Sequence, residues 1–285
     1  MSKRRAKPAQ SLDLSYVSAA PVLLRNADKL NLYLVGCGGT GSWLAPDVAR
    51  LAVEFRSHWK TVGATFIDPD IVEPVNIPRQ NFCQAEIRRH KAETLAARYG
   101  SAWGIEIAAI ADRFQPVIVE RDWQGVSVIV GAVDNAAARR SIADTLERND
   151  GYRLSVWWLD CGNAVQSGQV LLGCTAKADL LAQAFSVPTF CSVLPSPALQ
   201  HPELLEPQPE ELAGARMSCA EMVAANHQAL TINKQVAAHA AAMLRQFLTG
   251  ELRYFALYFD QASGTARSRY ITPENIQTAG KPRNT

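Results

Sequence analysis

The sequence predicts an α/β protein built on a doubly wound, mostly parallel sheet that ends in a C-terminal antiparallel hairpin. Three observations predict this. Short strands alternate with helical stretches through the first half of the chain. The strands "LNLYLV", "TVGATFI" and "VSVIVGAV" are apolar on both faces, as in a parallel sheet covered on both sides. Near the C terminus, "LRYFALYFD" and "TARSRYITP" flank the turn "QASG", the pattern of a hairpin.

Taken in order, residues 1–27 read as a loose leader with a short helix. "LNLYLVGCGGTGSWLAPDVARL" gives a strand, a glycine turn and a helix, with Pro46 expected to kink that helix or delay its start. "TVGATFIDPD" is a second strand ending in acids. "IRRHKAETLAARYG" is helical, with Lys91 near its start and Gly100 as its expected C-cap. "IEIAAIADRF" reads as a third strand, "VSVIVGAVDN" as a fourth and "AAARRSIADTLERN" as the helix after it. "LSVWWLDCGNA" and "SGQVLLG" continue the sheet. From about 187 to 215 the chain turns rich in proline and acid and reads as a long, partly mobile crossover. An Ala-rich helix follows, in which Ile232, Val236, Met243 and Phe247 share a buried face. The organisation expected is a leader (1–27), one domain (28–272) and a C-terminal tail (273–285).

The 285 residues are 48% hydrophobic and 20% charged, with a formal net charge of +2. This near-neutral balance gives no general argument for nucleic acid as a partner, and the basic "MSKRRAKP" reads as a solvated tail rather than a nucleic-acid arm. No apolar run approaches the roughly 20 residues that span a bilayer, and the start lacks the apolar core of a secretory signal. A cytoplasmic protein is expected. Its six cysteines (37, 83, 161, 174, 191 and 219) form no Cys-x-x-Cys pair, so free thiols and no zinc are expected.

Gly36-Cys-Gly-Gly-Thr-Gly41 follows the first strand and opens a helix. Glycines let the backbone turn tightly and approach a phosphate, and free N–H groups at the helix start favour negative charge. Gly36, Gly38, Gly39 and Gly41 therefore mark a candidate nucleotide site and make the sheet Rossmann-like. A tight turn without ligand is the plainer alternative.

A redox dinucleotide needs one acid after the second strand, and Asp68 would suffice. The loop "IDPDIVEPVNIPRQNF" continues instead through Asp70, Asn76, Arg79 and Gln80. Lys91 opens the next helix, and Asp134-Asn135 with Arg139 follows the fourth strand. All lie at or just beyond the carboxyl ends of parallel strands, where open α/β sheets bind ligands. Arg79 and Lys91 suit a triphosphate, and Asp134 is a hard oxygen ligand for Mg²⁺. Nucleotidyl transfer fits this set better than hydride transfer. Simpler roles stand beside these: Asp70 and Glu73 as solvated loop acids, Asn76 and Gln80 as loop braces, and Arg139 as an exposed helix arginine.

"GCGGTGS", "IDPDIVEPVNIPRQNF", Lys91 and "DNAAAR", in that order, resemble the adenylation core of the ThiF/MoeB/HesA and ubiquitin-activating enzymes. The likeness spans about 28–270, and "CSVLPSPALQHPELLEP" resembles the ThiF-related members of bacterial PRTRC plasmid cassettes. The resemblance implies an ATP- and Mg²⁺-dependent adenylyltransferase acting on the C-terminal carboxylate of a small ubiquitin-like or sulfur-carrier protein, and a homodimer. It places Gly38 and Gly41 against the nucleotide and Asp68 on the ribose hydroxyls. Asn76, Arg79 and Lys91 line the phosphate path. Asp134 takes Mg²⁺, and Arg139 supports or orients it.

The sequence departs from the family in two places. The two zinc-binding Cys-x-x-Cys pairs of many relatives are missing. The Arg-Tyr-x-Arg-Gln stretch that sends an arginine across the dimer is also missing, leaving Arg4, Arg5 or Arg25 as substitutes. Cys219, before a helix whose dipole would lower a thiol pKa, matches the region that carries a transferable thiol in some relatives. It is read as catalytic, with a structural thiol as the alternative. Two other function classes compete: a catalytically silent nucleotide-binding scaffold, and an NAD-dependent oxidoreductase, which the absence of a hydride-side acid or base disfavours.

Overall fold

The computed structural model describes residues 14–119, 124–147, 155–208 and 230–279. In chain order its elements are α1 (Ser15–Ser18), β1 (Lys29–Val35), α2 (Gly39–Glu54), β2 (Thr61–Ile67), α3 (Lys91–Trp103), β3 (Ala108–Ile110) and β4 (Gly125–Gly131). Then come α4 (Ala136–Glu147), β5 (Val156–Asn163), β6 (Ser167–Gly173), α5 (Pro197–Gln200), α6 (Leu230–Leu248), β7 (Tyr254–Asp260), β8 (Thr265–Tyr270) and α7 (Pro273–Ala279). The eight strands form one sheet in the order β3-β2-β1-β4-β5-β6-β7-β8. β3 to β5 pair in parallel, and β5 through β8 pair antiparallel. The fold is the α/β, Rossmann-like sheet read from the sequence, with its hairpin at the end.

The winding reverses at β1: β2 lies on one side of it and β4 on the other. In register, Val35 sits opposite both Ile67 and Gly131, so the three strands end flush. Gly36, Asp68 and Ala132 therefore leave the sheet at one edge, around the crevice where ligands bind in doubly wound folds. β5 runs past this line, because Gly131 pairs with Asp160 and the strand continues to Asn163.

The apolar strands are explained by their two covered faces. Leu30, Leu32, Leu34, Val126, Val128 and Val130 belong to a core shared with α2, α3 and α6, while Tyr33, Val35, Ile67, Ile129 and Trp158 pack with Ile142 and Leu146 of α4. Ile232, Val236, Met243 and Phe247 are fully buried, as the spacing along α6 predicts, and Phe247 lies 4.6 Å from the Trp157 ring.

Several expectations change in detail. α2 runs through Pro46 and begins at Gly39, so its start is not delayed. Proline lacks the N–H that would bond the carbonyl four residues back; that carbonyl, on Ser42, accepts the Asn81 side-chain N–H at 3.2 Å instead. α3 passes Gly100 and is capped by Gly104, which takes the left-handed conformation (φ 62°) and donates its N–H to the Gly100 carbonyl. The third strand shrinks to three residues.

Residues 19–23 of the expected leader are stitched to the body: Ala20 N–H donates to Ile271 O, Val22 to Leu252 O and Leu23 to Cys191 O. The described part of the expected crossover is packed as well. Cys191 and Leu194 are fully buried, and the Gln200 side-chain N–H donates to Leu172 O and Pro195 O. α7 likewise buries Ile276 and Ala279 where a tail was expected. Residues 209–215 of the crossover, and Cys219, lie outside the described residues. No described helix is long and apolar enough to cross a membrane.

Candidate functional site

The glycine turn is shaped by two close approaches. Gly36 has φ 87°, and a Cβ there would stand 2.6 Å from the Ala132 carbonyl oxygen. A Cβ on Gly41 would stand 1.8 Å from the Gly36 carbonyl oxygen and 3.3 Å from Ala132 Cβ. The turn after β1, the start of α2 and the turn after β4 are thus interlocked, and no side chain fits between them.

Asp68 faces this turn from the end of β2. It is 5% exposed, and its carboxylate accepts the Cys37 N–H (2.6 Å) and the Asp70 N–H (2.8 Å). Burial raises its pKa, against the lowering effect of those two N–H groups and of Lys91. Lys91 is buried and donates to Asp70 at 2.9 Å, and its charge is felt by both Asp68 and Cys37. An acid, a cation and a glycine turn therefore share one edge of the sheet.

The proline-rich loop is held rigid by its own polar groups. Asn76 accepts the Glu73 N–H through its side chain (2.8 Å), and its main-chain carbonyl accepts the N–H groups of Arg79 and Gln80. Asn76 is a brace, 4% exposed. Asn81 ties the loop to α2, donating its N–H to Ser42 Oγ at 2.9 Å, and Trp43 donates its indole N–H to Arg79 O at 3.2 Å. So anchored, Gln80 lies beside the glycine turn, its Nε2 3.8 Å from the position of a Cβ on Gly38. Arg79 Nε and Gln80 Oε1 are buried without a hydrogen-bond partner. Orphaned groups of this kind cost about 1–3 kcal/mol each, and a ligand that pairs them recovers that cost.

Across the crevice, Asp134 is exposed just beyond β4, with the Asn135 side chain donating to it at 3.3 Å. Asn135 also accepts the Ala138 N–H (2.9 Å), the capping bond of α4. Arg139 is not the exposed arginine of the simpler reading: it is 9% exposed and donates through Nε to the fully buried Asp160 at 3.2 Å. Burial raises the Asp160 pKa, and the neighbouring Arg139 partly offsets this. A lone acid inside the apolar run "VWWLDCGN" is the sequence signal that a buried cation faces it.

Among the described residues no cluster of three or more His, Cys, Asp or Glu side chains could hold a metal ion. Asp134 alone still fits Mg²⁺, which keeps several waters and is commonly held by one or two carboxylates together with substrate phosphates. Cys37, Cys161, Cys174 and Cys191 are buried, and burial pushes their thiols up, that of Cys191 to about 12. Cys83 is exposed. Of the substitute arginines, Arg25 has a buried, unpartnered Nη1, and Arg4 and Arg5 lie outside the described residues.

A model of the ThiF family matches residues 20–171, more than half of the chain. The chain belongs to the ThiF family. No curated protein matches it at a significant level. Among solved structures, E. coli MccB with ATP superposes with a TM-score of 0.56 at 17% identity, covering 87% of this chain and 64% of MccB. PaaA gives a TM-score of 0.53 at 14% identity, covering 86% of this chain and 65% of PaaA. MccB has also been solved with AMPCPP and MccA together, at a TM-score of 0.52 and 16% identity, covering 86% of this chain and 64% of MccB. This ThiF-family chain therefore spans just under two thirds of the MccB chain, and at these identities the likeness is one of fold.

Two groups on the edge of the ThiF-family domain were not legible in its sequence. Asn163, the last residue of β5, donates its side-chain N–H to Asn233 of α6 at 2.6 Å, and Thr40 donates to the same oxygen at 3.4 Å. These contacts span 70 and 193 residues. No local motif predicts them.

Proposed function

We propose that this chain is an ATP-dependent adenylyltransferase that activates the C-terminal carboxylate of a ubiquitin-like or sulfur-carrier protein. The observation that carries the reading is the shared edge: buried Asp68 and Lys91 by the glycine turn, with Gln80, whose Oε1 is unpaired, next to the turn. MccB, of similar fold, has been solved with ATP and with MccA, which supports a nucleotide and a second substrate on one fold.

In the reaction, a carboxylate oxygen attacks the α-phosphorus of ATP. The bond from that phosphorus to the oxygen bridging it to the β-phosphorus breaks, and pyrophosphate leaves with the electron pair. The glycine turn offers main-chain N–H groups to the phosphates, and Asp68 accepts from the ribose hydroxyls. Arg79 and Lys91 offset the charge that opposes attack of one anion on another. Lys91 would exchange its bond to exposed Asp70 for a phosphate oxygen. Asp134 would hold Mg²⁺, which when bound supplies further charge neutralisation at the phosphates. Asn76, Asn135 and Arg139 keep these groups in place. Cys219 is the thiol this reading assigns to any thioester step that follows, and the protein acts as a cytoplasmic homodimer.

The test is exchange of labelled pyrophosphate into ATP with small proteins ending in Gly-Gly as substrates. Exchange that needs both the carrier and Mg²⁺ supports the proposal. Tight ATP binding with no exchange for any carrier would instead make the chain a silent scaffold.

A further inference from the structure

Asp68, Lys91 and Asp134 follow β2 and β4. The flank of the glycine turn toward β5 and α6 carries a different set. Asn163 overhangs the sheet edge at the end of β5 and meets Asn233 of α6 at 2.6 Å. The Asn233 amide lies flat against the turn, its Nδ2, Oδ1 and Cγ standing 3.1, 3.2 and 3.3 Å from the position of a Cβ on Gly39. Its oxygen accepts from Asn163 and Thr40, while Nδ2 is buried with no partner and the residue is 1% exposed. A donor amide is thus held without an acceptor beside the glycine turn, on its β5 and α6 side.

We propose that Asn233 and Asn163 form the seat for the carboxylate of the second substrate, a deepening that rests on the adenylation reading above. The chemistry of the step favours this choice of residues. A carboxylate that must attack phosphorus has to be oriented, and a cation would orient it at the cost of its nucleophilicity. Neutral amide N–H groups hold one oxygen while leaving the other free to attack. Asp68 and Lys91 on the opposite flank serve the nucleotide, so the two substrates converge across the glycine turn.

The experiment compares binding of ATP·Mg²⁺, AMP and 5′-O-(N-glycylsulfamoyl)adenosine to the full chain by calorimetry. The last compound carries an acyl group where AMP has none. Wild type is expected to prefer it over AMP, and Asn233→Asp to lose that preference by about tenfold, the loss of one good hydrogen bond. ATP affinity should change much less. Asn163→Ala, at the strand end, should show the same loss and serves where Asn233→Asp fails to fold. An unchanged acyl preference in a folded variant overturns the seat, as does a wild type without the preference. An equal loss of ATP and acyl-analogue affinity also overturns it, since Asn233 then only braces the turn. A wild type that binds ATP in none of these assays overturns the adenylation reading itself, a result separable from the others.

Discussion

Consider replacing Gly41 by alanine. The new Cβ would lie 1.8 Å from the Gly36 carbonyl oxygen and 2.8 Å from its carbon, where ordinary contact is 3.4 Å or more. The obstacle is backbone, so no side chain can swing aside; either α2 retreats or the turn opens. Overpacking a well-filled site costs about 1–3 kcal/mol and occasionally more, and a backbone clash of this depth belongs at or above the top, about 3 kcal/mol. At roughly 2–4 °C per kcal/mol for a larger domain, the melting temperature should fall by about 6–12 °C. Gly38→Ala is the internal control, because its Cβ meets only Gln80 Nε2, at 3.8 Å. It should melt within about 2 °C of wild type, while losing nucleotide affinity if the phosphates cross that point. The assay is a thermal melt of both variants with and without ATP·Mg²⁺. Equal apo melting temperatures for wild type and Gly41→Ala would refute the interlocked turn.

Other outcomes follow from the same geometry. Arg79→Ala and Asp134→Ala should each lower pyrophosphate exchange by about 10²–10³-fold while leaving the far-ultraviolet circular dichroism unchanged, as expected for one preorganised charge-stabilising group. Asp160→Ala should cost about 3–5 kcal/mol in urea unfolding, because it leaves the buried Arg139 guanidinium without its carboxylate. Asp68 gives a pH signature. Burial holds its pKa above that of the unfolded chain, so the folded state binds the proton more readily and stability is lost as pH rises through that window. Asp68→Asn should therefore gain stability relative to wild type as pH rises from the ordinary carboxylate pKa, measured by urea unfolding at a series of pH values. A relative loss over that range would reverse the sign and the argument.

What could be read from the sequence was what is local. The apolar runs carry the strands, and the order of glycine turn, Asp68, Arg79, Lys91 and Asp134 carries the edge, since the turn, Asp68 and Asp134 directly follow strands while Arg79 and Lys91 belong to the loop and helix start after β2. Buried and paired states were harder. Arg139 reads as a site cation or, more simply, as an exposed helix arginine, and neither reading names Asp160, which β5 brings against it from 21 residues away. Gly100 reads as a cap because it follows an amphipathic run, yet the left-handed position falls at Gly104, after a further turn ending in Trp103. The proline-rich stretch after residue 187 reads as loose by composition, while backbone bonds from Cys191, Ser192 and Ser196 to Pro21, Ala184 and Thr175 hold that part of it against the body. The Asn163–Asn233 pair had no sequence signal, since only the fold of α6 onto β5 creates it.

The most direct test of the account is calorimetric binding of ATP·Mg²⁺ and NAD to wild type, Lys91→Ala and Asp68→Ala. Tightest binding of ATP·Mg²⁺ by wild type, weakened at least about tenfold in both variants, is the predicted result. Preference for NAD, or variants that bind ATP as wild type does, would contradict it.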